Sequence, residues 1–133
     1  MDREYDIIVW GATGFTGRLV VDYMAEQHVN SNLKWAVGGR NPQKLQQMLA
    51  GRDVAMVTAD SGDEASIEAL VRKTRVILTT VGPYARYGSS LVAACAKYGT
   101  DYCDLTGEVH WMREMITAYQ EEARATGARI VHT

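Results

Sequence analysis

The chain has 133 residues, of which 47% are apolar and 23% are charged, and its formal net charge is −2. This length and composition suit one globular domain with a single core. The slightly acidic balance leaves no basic stripe for binding nucleic acid, and no apolar run approaches the ~18 residues that a membrane span needs. The charged residues that begin the chain are unlike a signal peptide, so a cytoplasmic location is expected.

The cysteines and histidines provide no metal or redox motif. Cys95 and Cys103 are too far apart for a CxxC motif. Without a secretory signal they are expected to be reduced and to pack as small apolar residues. The three histidines form no HxxxH or Cys/His cluster, so no metal site is predicted.

Strand patterns alternate with helical patterns along the whole chain. Continuous apolar runs, typical of strands that are buried on both faces, predict strands over 6–10, 33–37, 54–58, 75–80, 101–103 and 129–132. Helical spacing between them predicts helices over 18–27, from 42 onward, and over 65–72, 91–96 and 108–126. Such alternation predicts a parallel sheet with helices on both of its faces.

Local residue types predict where helices begin and which faces they bury. Asn41 is expected to cap the second helix, with Pro42 at its first position, and Asp63 or Ser61 to cap the third. The apolar face of the first helix is expected to carry Leu19, Val20, Tyr23 and Met24. That of the last helix is expected to carry Trp111, Met112, Met115, Ile116, Tyr119 and Ala123.

Six alternating units predict a doubly wound α/β sheet, the Rossmann fold, with strand order 3-2-1-4-5-6. A flavodoxin-like order is the alternative. It expects five strands and usually lacks a glycine pattern such as Gly11-Ala12-Thr13-Gly14-Phe15-Thr16-Gly17, which follows the first strand here. The glycine pattern therefore favours the dinucleotide-binding arrangement.

The glycine segment at 11–17 has the composition needed to hold a pyrophosphate. Gly11 allows a sharp turn after the strand, Gly14 leaves the backbone bare, and Gly17 lets the helix lie close to the strand. Free N–H groups and the positive end of the helix dipole would then attract phosphate. The spacing is GxxGxxG rather than the commoner GxGxxG, and a turn that serves packing alone is the alternative.

Arg40 indicates which dinucleotide this segment would bind. An NAD site needs an acidic residue about 20 residues beyond the loop to bind the ribose 2′-hydroxyl, whereas the second strand here is followed by Gly38, Gly39 and Arg40. A guanidinium fork suits a 2′-phosphate, and the glycines would give the adenosine room. NADP is therefore favoured over NAD, with a solvated Arg40 as the alternative. Asp60, just past the third strand, is placed either to bind the adenine amino group or to cap a helix.

Several separated motifs resemble the N-terminal part of the saccharopine dehydrogenase-like oxidoreductases. They are GATGFTG at 11–17, Gly39-Arg40, VGPY at 81–84, LVAACAKYGTDYCDLTGE at 91–108 and GARIVH at 127–132. The branch that includes the trans-acting enoyl reductases of lipid biosynthesis is the most similar. The resemblance implies an NADP-binding domain that serves hydride transfer to or from C=N or C=C bonds.

Carried over by position, the resemblance also implies three groups of cofactor-binding residues. They are, for the pyrophosphate, Gly11, Thr13, Gly14, Phe15, Thr16 and Gly17; for the 2′-phosphate, Arg40; and for the nicotinamide half, Val81, Gly82, Pro83 and Tyr84. The segment 104–108 would close over the nicotinamide half. The resemblance further implies that residues 1–133 are the cofactor domain alone and that a substrate domain follows them. Residues 1–133 would then bind NADP without turning over a small-molecule substrate. The sequence leaves open whether the protein forms a homodimer.

No complete catalytic set is predicted within the chain. No tyrosine is followed four residues later by lysine, the pair that a short-chain reductase would use. Asp104 and Glu108 could form an acid–base pair, but Glu108 also suits a helix start and Asp104 a turn. Tyr84 and Tyr87 flank the expected nicotinamide position, where stacking or packing is the more common use. A non-catalytic NADP-sensing module is therefore the alternative to an oxidoreductase.

Overall fold

The computed structural model describes residues 2–28 and 30–133, in which strands and helices alternate. The strands are β1 (Tyr5–Trp10), β2 (Trp35–Gly39), β3 (Ala55–Thr58), β4 (Thr74–Thr79), β5 (Asp101–Cys103) and β6 (Ile130–Val131). The helices are α1 (Phe15–Gln27), α2 (Pro42–Leu49), α3 (Glu64–Val71), α4 (Tyr84–Tyr87), α5 (Ser89–Tyr98) and α6 (Val109–Thr126). None of these helices is both long enough and apolar enough to cross a membrane.

The strands form one parallel sheet in the order β3-β2-β1-β4-β5-β6. Ile8 at the centre of β1 is paired with Ala36 of β2 and with Ile77 of β4. The observed order confirms the predicted Rossmann arrangement and rules out the flavodoxin-like one. It also places the reversal of strand order between β1 and β4, so that the loops at their carboxyl ends border a crevice of the kind that binds ligands in such sheets.

Two apolar cores lie on opposite faces of the sheet. The pleat of β1 sends alternate side chains to opposite faces. Ile8 packs with Ile67 of α3 and Leu91 of α5 in one cluster, whereas Val9 packs with Val21 of α1 and Leu45 of α2 in the other. Helices therefore cover both faces of the sheet, as predicted.

The buried face of α1 agrees only in part with the predicted one, since Met24 is buried and Val20 packs against the core as expected. Its buried residues are Gly17, Val21 and Met24, while Leu19 and Tyr23 are exposed. Gly17, Val21 and Met24 are spaced by four and three residues, as on one helix face. Because Gly17 has no side chain, the apolar pattern of the sequence does not include it. In α6, Trp111, Met115 and Ala123 are buried as predicted. Ile116 is exposed, because it directly follows Met115 and its side chain is therefore turned away from the buried face.

Side-chain caps explain where α2 and α3 begin. The Asn41 side chain accepts hydrogen bonds from the N–H groups of Gln43 and Lys44, and the Asp63 side chain accepts one from Ala65. These contacts confirm Asn41 as a cap and identify Asp63 rather than Ser61 as the other. The first helix begins at residue 15 instead of 18, and the short α4 occupies a segment whose start was predicted only as a turn.

The two cysteines are free, with Cys95 buried and Cys103 partly buried. Burial raises the pKa of both thiols, so the reactive thiolate is scarce at neutral pH. We expect Cys95 to resist a thiol-labelling reagent in the folded protein and to react once urea unfolds the chain. Mass spectrometry of the labelled protein measures this difference, and rapid labelling of Cys95 without denaturant would contradict it.

Candidate nucleotide-binding site

The glycine segment between β1 and α1 is shaped by two close backbone approaches. Gly11 has φ +82°, and a Cβ at this position would overlap the side chain of Val81. A Cβ at Gly17 would overlap the carbonyl oxygen of Gly11. Glycine is therefore required at both positions, and the first contact places the glycine segment directly against the loop that follows β4.

The first turn of α1 has N–H groups that find no hydrogen-bond acceptor among the described residues. The N–H of Gly14 donates to Gly11 O over 3.1 Å, and the N–H of Arg18 donates to Gly14 O over 2.9 Å. Phe15, Thr16 and Gly17 have no such acceptor among residues 2–28 and 30–133, and Gly14 offers no capping side chain. Free donors at the positive end of a helix dipole are the arrangement that binds phosphate.

Arg40 lies at the carboxyl end of β2 with an exposed side chain. It forms no ion pair or side-chain hydrogen bond within the described part of the chain. Because Asn41 already accepts the N–H groups of Gln43 and Lys44, those donors of α2 are occupied. An anion at this corner would therefore meet the Arg40 guanidinium rather than those two N–H groups.

The two glycines before Arg40 are explained by packing. A Cβ at Gly38 would lie 2.9 Å from Cε3 of Trp10, and one at Gly39 would lie 3.3 Å from Cδ2 of Leu45. The space beside these glycines is thus filled by core side chains and does not serve as the room for adenosine that the sequence suggested. Gly38 also accepts hydrogen bonds from the N–H groups of Gly11 and Ala12, which joins the ends of β1 and β2.

Asp60 follows β3, further along the same edge of the sheet. Its carboxylate accepts a hydrogen bond of 2.9 Å from the N–H of Gly62, and its own N–H donates to Ser66 Oγ over 2.8 Å. Asp60 therefore closes the turn that precedes α3, while Asp63 caps the helix. The side chain is exposed at the position where the sequence predicted a contact with adenine.

The loop after β4 turns its aromatic residue inward. The Tyr84 ring is buried, its centroid lies 5.6 Å from that of Trp111, and its hydroxyl donates to Thr79 O over 3.3 Å. Burial raises the pKa of the Tyr84 phenol. Only the backbone of Tyr84 is thus available to line a site, together with the exposed Gly82 and Pro83 and the half-buried Val81. Tyr87 is partly exposed, with the Arg86 guanidinium 5.3 Å from its ring centroid.

The two carboxylates considered for acid–base chemistry are both engaged by the chain. Glu108 accepts hydrogen bonds from the N–H groups of Tyr84 and Ala85, at 2.6 and 3.1 Å. Asp104 is fully buried and accepts hydrogen bonds from the Tyr102 hydroxyl and the Thr106 N–H, at 2.7 and 3.1 Å. Asp104 bonds a turn N–H as the sequence suggested, whereas Glu108 bonds the start of α4 rather than that of its own helix.

His132 is the third partner of Asp104, and no sequence pattern singled it out. Its Nδ1 lies 2.8 Å from Asp104 Oδ2, and its side chain is only 7% exposed. The ring is edge-on to Trp111 at 5.2 Å between centroids. Its Nε2 is buried and has no partner among the described residues. The pairing joins the carboxyl ends of β5 and β6 across 28 positions, so no local pattern marks it.

The predicted site residues thus fall into two groups. The glycine segment contacts the end of β2 at Gly38 and the loop after β4 at Val81, and Arg40 directly follows β2 at the same edge of the sheet. Asp60 lies further out, beyond β3. Free N–H groups at the first turn of α1, and a glycine at position 17 that lets this helix lie against the backbone of Gly11, are features that fit a dinucleotide phosphate.

Comparison with known sequences identifies relatives along nearly the whole chain. Residues 7–131 match the family described as the saccharopine dehydrogenase NADP binding domain. A trans-acting enoyl reductase of Mycobacterium tuberculosis is 45% identical over 98% of this chain, and one of Mycobacterium leprae is 43% identical over 97%. In both cases the match covers 32% of the relative, so the chain spans about a third of the length of these proteins.

Solved structures show the same fold at low sequence identity. Saccharopine dehydrogenase (L-Glu forming) of Saccharomyces cerevisiae superposes with a TM-score of 0.78 at 17% identity, covering 96% of this chain and 26% of that one. Triphenylmethane reductase of Citrobacter sp., solved with NADP(H), superposes with a TM-score of 0.71 at 19% identity, covering 96% and 48%. The family match and the fold agree: the chain belongs to the saccharopine dehydrogenase NADP-binding domain family, and its cofactor is NADP.

Proposed function

We propose that this chain is the cofactor domain of an oxidoreductase that transfers a hydride between NADP and a C=N or C=C bond. The observation that carries the proposal is the first turn of α1 with its free N–H groups, which follows a glycine segment that contacts the loop after β4 at Val81. The relatives named trans-acting enoyl reductases, at 43–45% identity, favour the C=C bond of an enoyl group over a C=N bond.

Each part of the carboxyl edge has a role in this proposal. The segment Gly11–Gly17 binds the pyrophosphate through backbone N–H groups, and Arg40 binds the 2′-phosphate. The backbone of Val81–Tyr84 lines the nicotinamide half, and Asp60 lies at the adenine end. The bound cofactor supplies or accepts the hydride, while these residues hold and orient it.

The substrate-binding part of the protein is proposed to lie C-terminal to residue 133. The chain spans about a third of the curated relatives it matches, which leaves two thirds of their length for other parts. Within the described residues, Asp104 and Glu108 are already occupied by hydrogen bonds. The chain alone is therefore expected to bind NADPH without reducing a substrate.

The proposal is tested by substituting Arg40, the exposed cation at the end of β2. We expect the unsubstituted chain to bind NADPH more tightly than NADH, and Arg40→Ala to lose most of this preference. A hydrogen bond between charged groups contributes about 1.5–3 kcal/mol, so the preference should fall by roughly 10- to 150-fold. Fluorescence titration with both nucleotides measures it.

Arg113→Ala is the matched control, because Arg113 is an exposed arginine of α6 on the same chain. This variant should keep the preference for NADPH. An Arg40→Ala protein that still distinguishes NADPH from NADH would show that another residue reads the 2′-phosphate. A chain that binds neither nucleotide would contradict the proposed function itself.

A further inference from the structure

Glu108 caps the helix α4, although it lies far from this helix in the sequence. The helix α4 is preceded by Pro83, which provides no capping side chain. The N–H groups of Tyr84 and Ala85 instead donate to the two carboxylate oxygens of Glu108, Oε2 at 2.6 Å and Oε1 at 3.1 Å. A carboxylate that accepts from backbone N–H groups makes a charge-assisted hydrogen bond, which is stronger than a neutral one. The loop after β4 is thus anchored to a residue 24 positions later.

The anchor is itself held by a buried chain of hydrogen bonds. The N–H of Glu108 donates to Thr106 Oγ1 over 3.0 Å, and the N–H of Thr106 donates to Asp104 Oδ1 over 3.1 Å. The second oxygen of Asp104 is bonded to Tyr102 and His132. Asp104 and Thr106 are both buried, so the segment 104–108 is fixed to the carboxyl ends of β5 and β6.

An aromatic contact runs parallel to this chain. The Trp111 ring packs on Tyr84 at 5.6 Å and on His132 at 5.2 Å between centroids. Trp111 therefore restrains the loop after β4 through the Tyr84 ring, and Glu108 restrains it through the backbone. Two separate contacts that restrain one short loop leave it little freedom to shift.

We infer that Glu108 is a positioning residue for the nicotinamide half of the site. Through the N–H groups of Tyr84 and Ala85 it fixes the backbone of the adjoining Val81–Pro83, which meets the glycine segment at Gly11. The inference rests on the proposed function, in which this loop lines the nicotinamide. Glu108 acts through the loop and does not itself touch the cofactor.

Two ligands separate the halves of the site in a test of this inference. NADPH occupies both halves, whereas adenosine 2′,5′-bisphosphate carries the 2′-phosphate and adenosine without a nicotinamide. The variant Glu108→Gln keeps the size of the side chain but replaces one accepting oxygen by an NH₂ group, which only donates. We expect it to weaken NADPH binding by about tenfold and to change binding of the bisphosphate by less than about twofold.

Glu114→Gln is the control for the loss of a negative charge, because Glu114 is an exposed residue of α6, the helix that Glu108 precedes. It should bind both ligands as the unsubstituted chain does. Thr106→Val is a second variant that removes the acceptor of the Glu108 N–H while keeping the side-chain shape. It should show the same selective effect on NADPH, at about threefold.

Amide hydrogen exchange at Tyr84 and Ala85, followed by NMR, reports directly on the cap. Faster exchange at these two amides in Glu108→Gln, together with the selective loss of NADPH affinity, supports the inference. An equal loss for both ligands would show a general structural role, and unchanged NADPH affinity despite faster exchange would show that the loop does not position the nicotinamide. Either result would overturn the inference, whereas failure of the unsubstituted chain to bind either ligand would overturn the proposed function.

Discussion

Replacing Gly17 with alanine is expected to reduce NADPH affinity by about 100-fold or more. The added Cβ would overlap Gly11 O and lie 2.9 Å from Gly11 C and 3.0 Å from Ala12 Cα. These neighbours are backbone atoms, so α1 or the glycine segment has to move, and that motion displaces the N–H groups proposed to bind the pyrophosphate. Overpacking of this kind also costs about 1–3 kcal/mol of folding free energy. Nucleotide titration and urea denaturation measure the two effects.

Gly62→Ala provides the control for adding a methyl group at a glycine. A Cβ at Gly62 would lie 3.4 Å from Asp60 Oδ1 and meets nothing closer, so stability and NADPH affinity should stay near those of the unsubstituted chain. If Gly17→Ala bound NADPH with undiminished affinity, the close approach of α1 to β1 would not be needed for the phosphate site.

Replacing Asp104 with alanine is expected to lower the free energy of unfolding by about 3 kcal/mol. The substitution leaves three buried donors without their acceptor: the Tyr102 hydroxyl, the Thr106 N–H and the His132 imidazole. Burial and the hydrogen bond to Asp104 raise the pKa of the Tyr102 phenol, so this hydroxyl keeps its proton and remains a donor that needs a partner. Urea denaturation followed by circular dichroism gives the change in unfolding free energy.

Asp53→Ala is the matched control, since the Asp53 carboxylate is exposed and makes no hydrogen bond to another described residue. Its effect should stay within about 0.5 kcal/mol. A loss of less than about 1 kcal/mol for Asp104→Ala would show that water or a rearranged side chain replaces the missing acceptor.

Features encoded by neighbouring residues were predictable from the sequence. The alternation of apolar runs and helical spacing predicted the parallel sheet and its order. Asn41 was identified as a cap from its residue type and position, whereas Asp63 and Ser61 stayed alternatives until the structure showed Asp63 as the cap. The glycine segment was recognised because the strand before it and the helix after it are adjacent in the chain. The predicted NADP preference, which was drawn from Arg40 and the absence of an acidic residue at the end of β2, agrees with the family match.

Features that depend on residues distant in sequence were not predictable. The buried face of α1 was predicted only in part: Leu19 and Tyr23 are exposed, and Gly17 contributes to packing through the absence of a side chain. The roles of Glu108 and Asp104 could not be fixed, since their partners Tyr84 and His132 lie 24 and 28 positions away. Nor could the sequence show that the Tyr84 ring packs on Trp111 in the core, which leaves only its backbone at the edge of the sheet.

At the end of β2, the residue that caps the next helix, Asn41, is separate from the residue proposed to bind the nucleotide, Arg40. Asn41 caps the start of α2 by accepting the N–H groups of Gln43 and Lys44, while the Arg40 side chain makes no hydrogen bond or ion pair within the described chain. Natural selection or protein design can therefore change the charge at position 40 without removing the cap of α2. Redirecting the domain toward a different dinucleotide would begin at this one position, with little loss of stability.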